Sequence, residues 1–279
     1  MSNTPKIYSS LASKTLSYGR SCESPPHKLH PMHAHEKFEI FCVYRGNGYY
    51  ITEGSRHKLE PGKIFLMRSG ETHMPDAVNS EPYDRLSIHF SPEIVDSIDP
   101  ERRLLTPFFA RPLGENNVYM RESVAPTDIY HHLEKIFNCK CEDDYGKYIN
   151  CMAHLFPLLS ELCTLFEKGH LAEPLRNSEV MREIVEYITH NLENELSVDF
   201  ICNKFFISRS HLNRTFRRFT GSSVWEYIII KRLMLARGYL EEGMRAYEVA
   251  SACGFNDYSS FYRAYLKKYG ETPTGSVKK

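Results

Sequence analysis

The stretch Phe206-Ile207-Ser208-Arg209-Ser210-His211-Leu212-Asn213-Arg214-Thr215-Phe216-Arg217-Arg218, closed by Gly221, is written a second time 49 residues later. Phe206 becomes Phe255, Ser208 becomes Asp257, Leu212 becomes Phe261, Arg214 becomes Arg263, Phe216 becomes Tyr265, Arg218 becomes Lys267 and Gly221 becomes Gly270. At these positions apolar residues stay apolar and basic residues stay basic. Two copies make a duplicated module, since a solenoid needs about three repeats to bury a continuous core.

Each copy has the plan of a helix-turn-helix. In the first, Ser197 is a helix N-cap, and Phe200, Ile201 and Phe205 are expected to face inward. Ser208 caps the next helix, where Leu212, Phe216 and Phe219 fall at i, i+4 and i+7 and anchor it. The opposite face carries Ser210, Asn213, Arg214 and Arg217, with Arg218 beside them. A hydroxyl, an amide and guanidinium forks are the groups that pair with base edges and phosphates. In the second copy Val249, Ala250 and Cys253 open the unit, Gly254 turns it, and Asn256 or Asp257 caps a helix anchored by Phe261 and Tyr265. Tyr258, Ser259, Tyr262, Arg263 and Lys267 are expected to face outward. Between the copies, residues 225–242 form one long helix with Tyr227, Ile228, Leu233, Ala236 and Leu240 as core positions. Such a connector would hold two recognition helices about one DNA turn, roughly 34 Å, apart. A helical domain with merely basic outer faces is the plainer alternative. Core spacing, turn and basic positions recur together, which favours double-stranded DNA as the partner.

The segment Lys231-Arg232-Leu233, Ala236, Tyr247-Glu248-Val249-Ala250, Cys253-Gly254-Phe255, Tyr258, Phe261, Tyr265-Leu266-Lys267-Lys268-Tyr269-Gly270 and Thr272-Pro273 carries a resemblance. Residues 179–273 resemble the DNA-binding domain of the AraC/XylS family of transcription regulators. Two departures are Val224, where the family often has proline, and Gly238 inside the connecting helix. The glycine costs up to about 1 kcal/mol relative to alanine. The resemblance implies a homodimeric activator that contacts RNA polymerase and answers a small-molecule effector, most often a sugar.

Composition agrees once it is divided. The whole chain carries 35 basic and 35 acidic residues, but residues 176–279 hold 16 Lys and Arg against 12 Asp and Glu, a net of +4 that leaves −4 elsewhere. Phosphate attraction acts locally on the basic part. No run of about 18 apolar residues is evident and residues 1–10 lack a signal-peptide core, so a cytoplasmic protein with no membrane partner is expected. Eight cysteines without a CxxC pair point to reduced thiols, not to disulfides or a zinc finger.

Toward the N-terminus, turn signals at residues 46–48, 53–55, 60–62 and 69–71 separate runs 38–44, 49–52, 63–67 and 85–90, rich in β-branched and aromatic residues. This predicts an antiparallel β-barrel of cupin or jelly-roll type. After Pro126 the period changes: Ile129, Leu133, Ile136 and Phe137, then Ile149, Met152, Leu155, Leu159, Leu162 and Phe166, recur at helical spacing. These helices could pack on the barrel or on a second subunit, and residues 169–177 read as a linker. The expected organisation is therefore an α+β two-domain chain: a cupin-like sensor at 1–125, linker and dimerisation helices at 126–172, and an all-α double helix-turn-helix domain at 176–279.

Inside the barrel, His33-x-His35-x-x-x-Glu39 followed by Gly46, then Gly62 and Gly70-x-x-His73, resembles the two metal motifs of the cupin fold, with Arg68 where proline is usual. Residues 33, 35 and 39 have equal parity, which on a strand would put them on one face. A divalent metal at His33, His35, Glu39 and His73 would suit iron, manganese, nickel or zinc. The preferred expectation is a polar effector pocket formed by His33, His35, Glu39, His73, Arg85 and His89, because these groups also hydrogen-bond hydroxyls. Arg85 and His89 alternate with Leu86, Ile88 and Phe90 and so share a face. No cofactor follows with certainty. A cupin metalloenzyme would use the same four ligands but has no need of a duplicated helix-turn-helix. An effector-independent DNA-binding protein would hold its operator regardless of any metabolite.

Overall fold

In a computed structural model of the chain the residues described are 6–23, 32–77, 82–169, 171 and 179–274. The expected linker, 169–177, lies outside them apart from Gly169 and Leu171. The chain divides into two compact units, residues 1–30 with 35–176 and residues 31–34 with 177–279.

Among the described residues nine strands build the first unit: β1 (Lys6–Ala12), β2 (Leu16–Glu23), β3 (Phe38–Arg45), β4 (Gly48–Thr52), β5 (Ser55–Lys58), β6 (Ile64–Met67), β7 (His73–Ala77), β8 (Tyr83–Phe90) and β9 (Val118–Tyr119). They form antiparallel sheets of order β1-β2-β8-β3-β6-β9 and β5-β4-β7. Side chains alternate across a strand, and both faces of the larger sheet are used. Phe41, Val43, Phe65, Met67 and Tyr83 meet Tyr50 and Leu59 in one core. On the other face Ile40, Cys42, Ile64, Leu66, Leu86, Ile88 and Phe90 meet two helices, α1 (Ile129–Phe137) and α2 (Asp144–Glu167). Coverage on both sides is why six consecutive residues of β3 are buried. The helices whose partner the periodicity left open thus pack on the sheet, through Leu133, Ile136, Leu155, Leu158, Leu159 and Leu162. By length and composition α2 could cross a membrane. Its buried stripe is instead part of this core.

A buried ion pair fixes the loop before β7. Glu71 and Arg111 have no exposed side-chain surface and meet through two bonds of 2.7 Å, Nη1 to Oε1 and Nη2 to Oε2. Glu71 also accepts the backbone N–H groups of Arg68 and Gly114. Burial alone would raise its pKa, but the Arg111 charge and these hydrogen bonds hold it below the usual carboxylate range. Arg68, at the position where the cupin motif has proline, reaches the carbonyls of Phe108, Phe109 and Arg111.

The second unit contains α3 (Glu179–His190), α4 (Val198–Lys204), α5 (Arg209–Thr220), α6 (Val224–Glu241), α7 (Ala246–Ala252) and α8 (Tyr258–Tyr269). Its N-caps follow the sequence: Ser197, Ser208 and Asp257 accept N–H groups of Phe200, His211 and Ser260, and Ser223 with Glu226 forms a capping box. Among the described residues there are two cores, and α6 serves both. Val224, Tyr227 and Ile228 join α3, α4 and α5, while Leu233, Ala236 and Leu240 join α7 and α8.

The 49-residue spacing holds between α5 and α8 and between their left-handed closing glycines, Gly221 and Gly270. It does not hold between α4 and α7, which start 48 residues apart. One more residue lies in the second turn. The left-handed turn residue is Phe206 in the first copy, φ 52°, and Gly254 in the second, φ 76°. Ile207 and Phe255 then make equivalent bonds back to Cys202 and Ala250. Phe206 is therefore not the counterpart of Phe255; it is 97% exposed, whereas Phe255 is buried. Phe200, expected to face inward, is 45% exposed, and Ile201 fills the core in its place.

Arg232 joins the two copies. Buried at 2% exposure in α6, it donates from Nε to the Leu192 carbonyl at 3.0 Å and from Nη2 to that of Asn194 at 2.8 Å. Gly254 lies against the same guanidinium: a Cβ there would stand 2.6 Å from Nη2 and from the Leu192 oxygen. Replacing Arg232 with alanine should cost about 3 kcal/mol, and Gly254→Ala more than about 1 kcal/mol because its backbone is left-handed. The chain's single tryptophan, Trp225, is in α6, so denaturant unfolding followed by its fluorescence reports this unit. Unchanged midpoints would contradict the role given to Arg232. In the first unit Arg111→Met should cost about 3–5 kcal/mol near pH 7 by stranding the Glu71 charge. A carboxyl with a depressed folded pKa stabilises above its unfolded value, about 4.3, and loses that contribution as pH falls through the folded value. Without Arg111 burial raises the Glu71 pKa, so the stability gap between wild type and Arg111→Met should begin to narrow above about pH 4.3 and go on narrowing with further acidification, which melts from neutral to acid pH would detect.

Candidate functional site

Two surfaces carry chemistry. On α5, Leu212 and Phe216 are fully buried, which points Ser210, Asn213, Arg214, Arg217 and Arg218 to solvent; all five are exposed. Among the described residues no side-chain hydrogen bond or ion pair engages Asn213, Arg214 or Arg218. Arg217 lies 3.8 Å from Glu226, whose carboxyl is held below its usual range first by the Ser223 side chain. On α8, Phe261 and Tyr265 take the buried positions, and Ser259, Arg263 and Lys267 are exposed. Tyr258 and Tyr262, expected to face outward, are half-buried. The Tyr258 ring packs 6.0 Å from Phe261, 6.1 Å from Tyr262 and 6.2 Å from Tyr247. Tyr247, at 75% exposure on α7, belongs to the stretch that carries the family resemblance but is not among the expected contacts. Its signal was a large aromatic two positions before the buried Val249.

The second surface lies on the inner face of the larger sheet. Glu39 of β3 pairs in register with His89 of β8, and Val43 pairs with Arg85. Glu39 is buried, with its Oε2 3.1 Å from both His35 Nε2 and His73 Nε2 and its Oε1 3.5 Å from His89 Nε2. Burial would raise the Glu39 pKa; the His89 charge and hydrogen bonds from His35, His73 and His89 bring it well below the carboxylate range. The outer nitrogens of two rings are also committed, His35 Nδ1 to the Lys37 carbonyl and His73 Nδ1 to that of Glu71, each at 2.8 Å. The buried Glu71–Arg111 pair thus orients His73. Tyr50 stacks on the His73 ring at 6.2 Å, and Arg85 lies over Tyr83.

His33 is not among the side chains that meet at Glu39; it is exposed and falls with residues 31–34 in the second unit. The parity argument does not apply to it because β3 begins only at Phe38. His89, placed beside Glu39 by strand register, takes the fourth position. The ligand atoms of His35, Glu39 and His89 all lie within 4.8 Å of one another. Two imidazoles and a carboxylate on one side of a point form the facial arrangement that borderline divalent cations accept.

Residues 21–185 match the family described as AraC-like ligand binding domain, and residues 201–278 match a helix-turn-helix domain family. The Msm operon regulatory protein of Streptococcus mutans serotype c is 30% identical over 241 residues, covering 86% of this chain and 83% of that protein. An HTH-type transcriptional activator, RhaS of Mannheimia succiniciproducens, is 22% identical over 254 residues, 89% of each chain. Among solved structures, ToxT of Vibrio cholerae O395 aligns over 95% of this chain and 98% of its own length, at 14% identity and a TM-score of 0.38.

Proposed function

Because the chain belongs to the AraC family of transcription regulators, we propose that it is a cytoplasmic, sequence-specific activator of transcription, governed by a small effector bound in its N-terminal unit. One observation carries this reading: α5 buries Leu212 and Phe216 and leaves Asn213 and Arg214 exposed, and α8 repeats the arrangement with Arg263. In the first copy Ser210, Asn213 and Arg214 address base edges while Arg217 and Arg218 address phosphates. In the second, Ser259, Arg263 and Lys267 hold the duplex, and Tyr258, Tyr262 and Tyr247 lie along the sugar–phosphate backbone. The regulator acts as a homodimer and recruits RNA polymerase; relatives named as transcriptional activators support the positive sign.

The effector is a carbohydrate. His35, Glu39, His73, Arg85 and His89 offer donors and acceptors of both charges to several hydroxyls, and Tyr50 supplies an aromatic wall. An effector changes promoter occupancy only by binding one conformation better than another.

Both parts are open to direct test. On a duplex selected in vitro from random sequence, Arg214→Ala should lose about 1–3 kcal/mol and relax preference at one position, whereas Arg218→Ala should weaken every sequence alike and lower the salt slope by about 1. Equal loss on all sequences for Arg214→Ala would remove its base-reading role. In a thermal-shift screen of sugars, the stabilising sugar should lose its effect with His35→Ala or His89→Gln while DNA affinity stays unchanged. A normal response in both variants would exclude the pocket.

A further inference from the structure

The connection between α1 and α2 carries two cysteines separated by a lysine, Cys139-Lys140-Cys141. Most of the chain's other thiols are packed away. Cys42, Cys151 and Cys253 lie in hydrophobic cores, and burial pushes each thiol up to about 12. Cys163, pushed by burial to about 12 as well, donates to the carbonyls of Arg103 and Leu104. Cys139 is half-buried and Cys141 exposed, and their side chains hydrogen-bond to each other. Local structure holds them together. Asn138 closes α1 by donating its N–H to the Glu134 carbonyl, Asp143 caps α2 by accepting the Gly146 N–H at 2.7 Å, and Asn150 of α2 bonds to the Lys135 carbonyl of α1 at 2.9 Å. Between these fixed ends the chain bends back, so that the Cys141 backbone N–H reaches Cys139 Sγ at 3.4 Å. Residues two apart span at most about 7 Å, and a bend brings them into the range of about 4.4–6.8 Å between Cα atoms that a disulfide accepts. The first turn of α2 leaves room for the second sulfur: a Cβ on Gly146 would stand 2.9 Å from Cys141 Cβ and 3.1 Å from its Sγ. Glycine weakens a helix, yet any other side chain here would displace the thiol.

We propose that Cys139 and Cys141 form a modification site, a dithiol that hydroperoxides convert reversibly into a disulfide. Cys139 is the attacking sulfur, because the Cys141 N–H contact strengthens when Cys139 carries the thiolate charge. Its thiolate attacks one oxygen of the hydroperoxide: an S–O bond forms, the O–O bond breaks, and the other oxygen leaves as water or an alcohol after taking a proton. Cys141 is the resolving thiol. Its hydrogen-bonding neighbour Cys139 pushes it up first, and Asp143 adds to the effect, so it waits protonated. On losing its proton it attacks the sulfenic sulfur; the S–S bond forms, the S–O bond breaks, and hydroxide departs as water. The two thiols lose two electrons and the hydroperoxide gains them. A disulfide closing so small a ring is strained and exposed, and such bonds are the readily reduced ones. Closure would draw Cys141 away from Gly146 at the head of α2, the helix whose buried stripe covers the sensor sheet. The site does not depend on the reading of the chain as a sugar-responsive regulator.

The test uses the full chain, reduced and then exposed to hydrogen peroxide alone, with unreacted thiols blocked by N-ethylmaleimide before digestion with trypsin. Cleavage after Lys140 separates the two cysteines, so only a disulfide keeps the peptide ending at Lys140 joined to the one beginning at Cys141. The joined peptides should appear in wild type, vanish on treatment with dithiothreitol, and form at least about tenfold faster than Cys22 or Cys202 is oxidised. In Cys141→Ser the reaction should stop at a Cys139 sulfenic acid that dimedone traps, whereas Cys139→Ser should leave Cys141 unreacted over the same time. The wild-type measurement decides even if a variant does not fold. Recovery of Cys139 and Cys141 as blocked thiols after Cys22 or Cys202 has reacted would overturn the proposal, as would Cys139 joined to any other cysteine.

Discussion

The guanidinium of Arg232 is the contact on which the DNA-binding unit depends. It sits in the helix common to both copies, bonds to the carbonyls of Leu192 and Asn194 behind the first helix-turn-helix, and lies against Gly254 in the turn of the second. Two small cores strung on one helix could swivel if only α6 joined them. A buried planar donor that satisfies carbonyls of one copy while filling the space beside the turn of the other makes their relative orientation part of the packing. Arginine suits the task because its fork is always charged and rigid. Gly254 has to be glycine for two reasons, the left-handed backbone and the lack of room for a methyl group.

The sensor unit applies a related device to carboxylates. Glu71 and Glu39 are both buried, and each is held in its charged form by several partners. Arg111 neutralises Glu71, whose carbonyl then orients the His73 ring toward Glu39. The chain of contacts runs from a structural ion pair, through one loop, to the cluster around Glu39. Strand pairing does the rest, since the β3–β8 register alone brings His89 to Glu39.

How much of this was legible depended on whether the physics was local. Helix caps at Ser197, Ser208 and Asp257, the apolar anchors Leu212, Phe216, Phe261 and Tyr265, and the exposed Asn213 and Arg214 all follow from spacing within one helix. The turn did not: a constant offset aligned Phe206 with Phe255, and only the backbone reveals that the left-handed position falls at Phe206 and Gly254. In the sensor, Glu39, His35 and His73 were marked by motif and meet as marked, but His33 lies before the strand whose period had been lent to it. Alternation along its own strand put His89 in the expected pocket, but its standing directly beside Glu39 depends on which strand neighbours β3, and β1 and β2 precede the region of regular turn signals. Neither is encoded in short-range pattern.

Rigid coupling of the two helix-turn-helix copies is the central claim, and its most direct measurement is the affinity of the protein for a selected duplex before and after five base pairs are inserted between the half-sites. With Arg232 fixing the copies relative to one another, half a turn of DNA carries the second site to the opposite face. Affinity should then fall to that of a duplex holding one half-site alone. An insertion tolerated with unchanged affinity would contradict the account, because only copies free to reorient could follow both sites.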